Sequence, residues 1–415
     1  MKSPLWLFPL LVSLAVSLPV FADCQPDDIA NLPGKYQIKV TGNPMLPLSV
    51  KDKQLETSVL GKFYSTFSSN YQPKGLILKG AGVYGIDGVG ETWRDEPAYY
   101  YYLEMGYFPY RCKNGMVDTE VKGDESGTWI YFSVNMTWGV TVKAHGPYKS
   151  IPVLPRQENG VYFFDYGVDG LTDPPARPNQ KTVVWKYPSF KGVRWEKARM
   201  LTYDGQLPFS MVTRREYLEY AKGWLDADIQ KDRDLFAREV ERKYPIRPRE
   251  VQQAELDQTV AKWRAAKFSE AYIQRQIKDT LSDEERRAQA EQKVGMTSRK
   301  GLEYVNRVLA ESSDEELKKT AKLRFPDQIP WDFKAFIDDQ EYDGSYLVRM
   351  KPDYFNGAPG KATPRIITVY FENEVPGNKV LGPAANASLE AIDYQVLKAL
   401  LDKGRRRTVL LTRLL

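Results

Sequence analysis

Between residue 30 and about residue 212 the chain reads as short apolar runs at a two-residue period, broken by Gly, Pro, Asn and Asp clusters. The runs Tyr36–Val40, Leu76–Lys79, Ala98–Glu104, Trp129–Val134, Gly139–Lys143, Val161–Tyr166 and Thr182–Tyr187 are rich in Val, Ile, Tyr, Phe, Thr and Trp, so each predicts a strand. Regular punctuation of that kind predicts an antiparallel sandwich or barrel. Lys113-Asn114-Gly115 predicts a hairpin turn, since Asn-Gly accepts the positive φ that tight turns need. Gly80-Ala81-Gly82-Val83-Tyr84-Gly85 has the spacing of a dinucleotide fingerprint, but Ile86-Asp87-Gly88-Val89-Gly90 after it does not open a helix. The stretch is read as a Gly-rich loop, and no cofactor is implied.

At residue 213 the period changes. Thr213-x-x-Glu216, Ser282-x-x-Glu285 and Ser313-x-x-Glu316 are capping boxes that mark helix starts. Leu218, Leu225, Ile229, Phe236 and Val240 recur at helical spacing on one face, and Pro245 and Pro248 end that helix. Ser269, Ile273, Ile277 and Leu281 follow at four-residue steps, with Trp263 and Phe268 ahead of them. Over 213–324 the 25 basic and 22 acidic residues nearly cancel, which predicts helices with solvated outer faces; a partner-binding helical arm is the functional reading. Beyond 325 the pattern is mixed. Tyr346–Met350 and Ile366–Phe371 read as strands, Ser388 to Lys403 as an amphipathic helix stopped by Gly404, and Thr408–Leu415 as a closing strand. The predicted fold is therefore α+β and multidomain. Residues 23–212 form an antiparallel β-rich domain, 213–324 a charged helical region, and 325–415 a small α/β domain.

Residues 1–22 read as a signal peptide. Lys2 precedes an apolar run from Leu5 to Val20, and Val20-Phe21-Ala22 is a small-x-small cleavage site. The run is short for a membrane span, so no transmembrane segment is expected, and the chain should be secreted or periplasmic after cleavage. Export gives meaning to the two cysteines, Cys24 and Cys112, as a disulfide. The alternative makes Cys112 a nucleophile with His145 as its base.

Composition narrows the chemistry. A net charge of +5 spread over 59 basic and 54 acidic residues is too balanced to imply nucleic acid. One histidine and two cysteines in 415 residues exclude multi-histidine zinc sites, four-cysteine sites and single-chain iron–sulfur clusters. Asp165-x-x-x-Asp169-Gly170 and Asp339-x-Glu341-x-Asp343-Gly344 resemble calcium loops, but Ala176 and Met350 stand where the bidentate Glu belongs; no metal site is assigned. Glu91-Thr92-Trp93-Arg94-Asp95-Glu96 sets acids beside an aromatic ring, the composition a two-carboxylate hydrolase uses.

The 26 tyrosines and 9 tryptophans are the unusual excess. Tyr99–Tyr102, Tyr107, Phe108 and Tyr110 crowd one stretch, and alternate tyrosines of a strand must face opposite sides. Tyr101 is expected in the core. Trp93, Tyr107 and Trp138 are the expected ligand contacts, because flat amphipathic rings suit a sugar face or another protein.

Val212-Thr213-Arg214-Arg215-Glu216-Tyr217-Leu218, Asp353-Tyr354-Phe355 and Pro364-Arg365-Ile366-Ile367-Thr368-Val369 resemble stretches of uncharacterised secreted bacterial proteins. The likeness covers the C-terminal half and implies bacterial export; it brings no catalytic residue. The reading that follows is an exported envelope protein with a non-catalytic binding or assembly role, its partner a glycan or another envelope protein. The alternative is a carboxylate-dependent hydrolase of envelope or extracellular glycans.

Overall fold

The computed structural model describes Cys24 and residues 29–40, 47–86, 98–114, 116–120, 128–137, 139–165, 195–324, 336–337, 344–355, 360–373 and 380–401. In chain order the elements begin with β1 (Lys35–Lys39), α1 (Val50–Asn70), β2 (Leu76–Ile86), β3 (Tyr100–Pro109), β4 (Arg111–Lys113), β5 (Met116–Asp118) and β6 (Thr128–Val134). Then come β7 (Val142–Lys143), β8 (Lys149–Ile151), β9 (Arg156–Glu158), β10 (Val161–Asp165), β11 (Trp195–Thr202) and β12 (Phe209–Met211). The helical region holds α2 (Arg214–Lys243), α3 (Arg249–Ala265), α4 (Glu270–Asp279), α5 (Asp283–Lys293), α6 (Met296–Glu311) and α7 (Asp314–Lys318). The chain closes with β13 (Lys322–Leu323), β14 (Ser345–Met350), β15 (Ile366–Asn373), α8 (Leu381–Glu390) and α9 (Tyr394–Leu401). The protein is mixed α/β with a large, mostly antiparallel sheet.

That sheet has eight strands in the order β1-β2-β3-β6-β15-β11-β10-β9, and only the β1–β2 pair is parallel. β15 comes from the 325–415 segment, expected above to be a small domain of its own, yet it pairs with both β6 and β11 in the middle of the sheet. The segment therefore shares its core with the N-terminal region. A second sheet, β12-β14-β8-β7 with β13 on β14, likewise draws strands from both halves.

Period two assigns the faces of the large sheet. Leu76, Leu78, Tyr101, Leu103, Met105, Tyr107, Ile130, Phe132, Val134, Ile367, Val369 and Phe371 face one way, buried beneath α1, α8 and α9. α1 lies inside the region expected to be β-rich. Its Ser49 cap accepts the Asp52 amide at 3.1 Å, and Glu56, Val59, Leu60, Phe63 and Phe67 recur on its buried side. On the opposite face Tyr131, Phe164, Met200 and Tyr370 meet Ile151, Phe209, Val348 and Met350 of the second sheet. Leu347 points out of that second sheet and into a cluster with Tyr217, Leu218, Ala221, Leu225, Val305 and Leu317. The order of layers is thus helices, large sheet, small sheet, helices.

The helical region follows its caps. The Thr213, Ser282 and Ser313 hydroxyls accept the Glu216, Glu285 and Glu316 amides, and Ser282 and Glu285 complete both halves of the box. α2 stops at Lys243, just before Pro245. The helix expected from Ser388 is instead two, α8 and α9, parted at Ala391–Asp393.

The Gly80–Gly85 stretch is strand and not the expected loop: β2 runs through it to Ile86. Its register on β3 shifts between Val83 and Ile86. Gly85 sits at that bulge with φ +67, a conformation glycine reaches without a Cβ penalty.

Cys24 and Cys112 form the disulfide, with Cα atoms 5.7 Å apart, so Cys112 is no free nucleophile. The bridge ties the N-terminal segment to the β4–β5 hairpin, over a small cluster of Ile29, Ile77, Phe108 and Tyr110. It closes a loop of 88 residues, for which chain entropy gives about 4 kcal/mol. Urea unfolding with and without reductant should differ by about that amount, and coincident curves would contradict it. Among the described residues no helix is long and apolar enough to cross a membrane. The 1–22 segment, Thr182–Tyr187 and Thr408–Leu415 lie outside the described residues.

Candidate functional site

The second face of the large sheet is covered at two places. The disulfide-tied cluster covers Ile77 and Phe108, and the second sheet covers Met200 and Tyr370. Between them Lys79, Tyr102, Glu104 and Trp129 are each only half-buried.

Register builds this floor row by row. Lys79, Gly106 and Trp129 lie level across β2, β3 and β6; Ala81, Glu104, Tyr131 and Tyr370 form the next row through β15; Val83, Tyr102, Ser133 and Thr368 form the third. Trp129 stacks on Tyr131 at 6.3 Å between centroids and meets Phe108 edge-on at 6.2 Å. Tyr131 in turn stacks on Tyr370 at 4.8 Å, while Tyr102 leans on it at 6.3 Å. Gly106 makes the row possible. A methyl group there would stand 2.9 Å from the Phe108 ring and 3.0 Å from the Trp129 ring.

Charge flanks the rings. The Lys79 ammonium lies 4.8 Å from the Phe108 centroid, a cation–π arrangement. Burial raises the Glu104 carboxyl above the usual glutamate range, because the low-dielectric floor disfavours its charged form. The buried Ser133 hydroxyl has no hydrogen-bond partner. The half-buried Tyr102 and Trp129 rings, one cation and one carboxyl make a surface able to hold a flat, hydroxyl-bearing molecule.

Of the three residues expected to touch ligand, one is described. Tyr107 belongs to the opposite face and is fully buried, its hydroxyl 2.5 Å from Ser388 Oγ; it cannot contact a ligand there. Trp93, with the whole Glu91–Glu96 acid cluster, and Trp138 lie outside the described residues. Trp129, Tyr102 and Glu104 of this floor were not among the expected contacts, although the aromatic excess and the two-residue period both pointed to their strands. His145 is a turn residue against Trp224 and Tyr220, at 5.1 and 6.0 Å between ring centroids. Desolvation lowers its pKa, which favours the neutral ring.

A second unusual acid lies on the far face. Glu56 of α1 is wholly buried; its Oε2 accepts the Gly85 amide at 2.7 Å, and Oε1 has no partner. The bulge at Gly85 frees that amide from the ladder. Burial pushes the Glu56 carboxyl up to about 7, and the neighbouring Tyr101 hydroxyl, donated to the Ala362 carbonyl at 2.9 Å, is also raised.

Among the described residues no three His, Cys, Asp or Glu side chains converge as a metal site would require. The acidic loops at 165–173 and 339–344 lie almost wholly outside those residues. No protein-family model, curated protein or solved structure matches this chain.

Proposed function

We propose that this chain is an exported envelope protein with a non-catalytic binding role, and that the floor formed by Tyr102, Glu104 and Trp129 receives a sugar unit of a glycan. The observation that carries this reading is the pair of half-buried rings, Tyr102 and Trp129, left between two covering clusters and backed by the buried Tyr131–Tyr370 stack. The apolar face of a pyranose lies flat on such rings, while Lys79 and Glu104 offer partners to its hydroxyls. Export rests on the 1–22 pattern and agrees with the disulfide, which persists in oxidising compartments.

The test is calorimetric titration with soluble oligosaccharides released from envelope glycans. Trp129→Ala should weaken binding by roughly tenfold, the scale of one lost aromatic stack, and leave a cooperative melt. Gly106→Ala should weaken it in the same direction by tilting the Trp129 ring. Unchanged affinity in the Trp129→Ala protein would remove the proposal's footing.

The raised carboxyl of Glu104 on the same floor favours one second reading, a carboxylate-dependent glycan hydrolase, since a general acid must hold its proton near neutral pH. Slow release of reducing ends that vanishes in Glu104→Gln, with binding retained, would select that reading.

A further inference from the structure

The helical region carries a feature that glycan binding does not use. α3 and α4 form a hairpin whose turn is closed by backbone bonds: the Lys267 amide donates to the Arg264 carbonyl at 3.0 Å and the Phe268 amide to the Trp263 carbonyl at 3.1 Å. Lys267 takes the left-handed conformation there, φ +61. Val260 and Ile273 are buried, whereas residues 264–272 at the turn are exposed.

Phe268 and Tyr272 stand on that tip, 48% and 42% exposed, with their rings stacked at 5.0 Å. Among the described residues they are the only large aromatic side chains that are this exposed. The other aromatics whose burial is described are buried or half-buried, so a neighbouring pair left in water marks a contact surface.

The charge around the pair says what kind of surface it meets. Over residues 262–275 the chain carries Lys262, Arg264, Lys267 and Arg275 against a single acid, Glu270. Glu270 is occupied by Arg264 at 2.8 Å, and Gln274 also donates to it at 3.2 Å. The tip is therefore net cationic in a helical region whose charges otherwise nearly cancel. Rings flanked by Lys and Arg, presented at the exposed turn of a helical hairpin, match an anionic lipid surface. There aromatic rings lodge at headgroup depth and basic side chains meet phosphate.

We propose that the α3–α4 tip docks the protein on anionic membranes through Phe268 and Tyr272, with Lys262, Lys267 and Arg275 on the headgroups. This goes beyond the glycan reading and does not depend on it.

Co-sedimentation of the full chain with vesicles tests it. Vesicles containing phosphatidylglycerol should pull the protein down at low ionic strength, and pure phosphatidylcholine vesicles should not. Added salt should release it, since exposed charges are screened. Phe268→Ser with Tyr272→Ser should reduce the bound fraction at least fivefold, and so should Lys262→Glu with Lys267→Glu. Both double variants should keep the wild-type melting temperature because these side chains are exposed. Equal binding to both lipids, no binding to either, or wild-type binding by both variants would overturn the proposal. So would concentration-dependent dimers that disappear in the Phe268→Ser, Tyr272→Ser protein, for the tip would then serve a second copy of the chain. Glycan titration of the same variants should be unaltered, which keeps the two readings separable.

Discussion

Tyr107→Ala is expected to destabilise the protein by about 3–5 kcal/mol, the cost of emptying a large aromatic site in a close-packed core. The side chain is fully buried in the cluster beneath α1 and α8, and no solvent or ligand can fill the space. Its hydroxyl adds a smaller amount. Ser388 gives its one proton to the Ala385 carbonyl at 2.7 Å, so the Tyr107 hydroxyl donates to Ser388 Oγ. Burial holds its pKa well above the ordinary tyrosine value. Tyr107→Phe should then cost only about 1 kcal/mol. Urea unfolding of the two variants gives both numbers, and a Tyr107→Ala loss below that of Tyr107→Phe would reject this packing.

The placement of Tyr107 was within reach of the sequence. Tyr101 was expected in the core, and Tyr107 follows it by six residues in the same strand, an even step that puts both on one face. Tyr102, Glu104 and Phe108 have the opposite parity, as the structure bears out. The hidden part was which face would be left half-open, because that depends on what two distant segments cover. β15 reaches β6 across more than 230 residues, and nothing local in Ile366–Phe371 names its partners.

Other differences have local causes. α1 carries Leu55, Val59, Leu60, Phe63 and Phe67 at helical spacing behind the Ser49 cap, but Ser58, Ser65, Thr66, Ser68 and Ser69 dilute the pattern toward loop. The glycines of β2 read as a turn because Gly weakens a strand; here one of them serves a bulge. The helical region was the most legible, since capping residues act within a single turn. The hairpin tip was half visible: Phe268 stood out, yet only its exposure and its stack on Tyr272 distinguish it from a core residue.

Glu56 ties fold stability to pH, with a sign opposite to that of most carboxylates. Its pKa is raised from the unfolded value of 4.5 to about 7, so between those limits the folded state holds the proton more tightly than the unfolded state does. Stability from this group is fully present below about pH 4.5 and is lost as pH rises through about 7. The shift corresponds to about 3 kcal/mol. The neutral acid accepts the Gly85 amide through Oε2; the anion would set a charge in a dry site beside Asp52 of the same helix. Glu56→Gln keeps the acceptor and removes the titration. Near pH 4 it should be slightly less stable than wild type, because a glutamine amide cannot satisfy both its protons there. Above pH 8 it should be the more stable protein by about 2 kcal/mol. The difference between the two denaturation free energies, followed from pH 4 to pH 9, isolates this residue from every other titrating group. Parallel profiles would mean that Glu56 titrates in the folded state at its unfolded value and that the carboxyl is solvated.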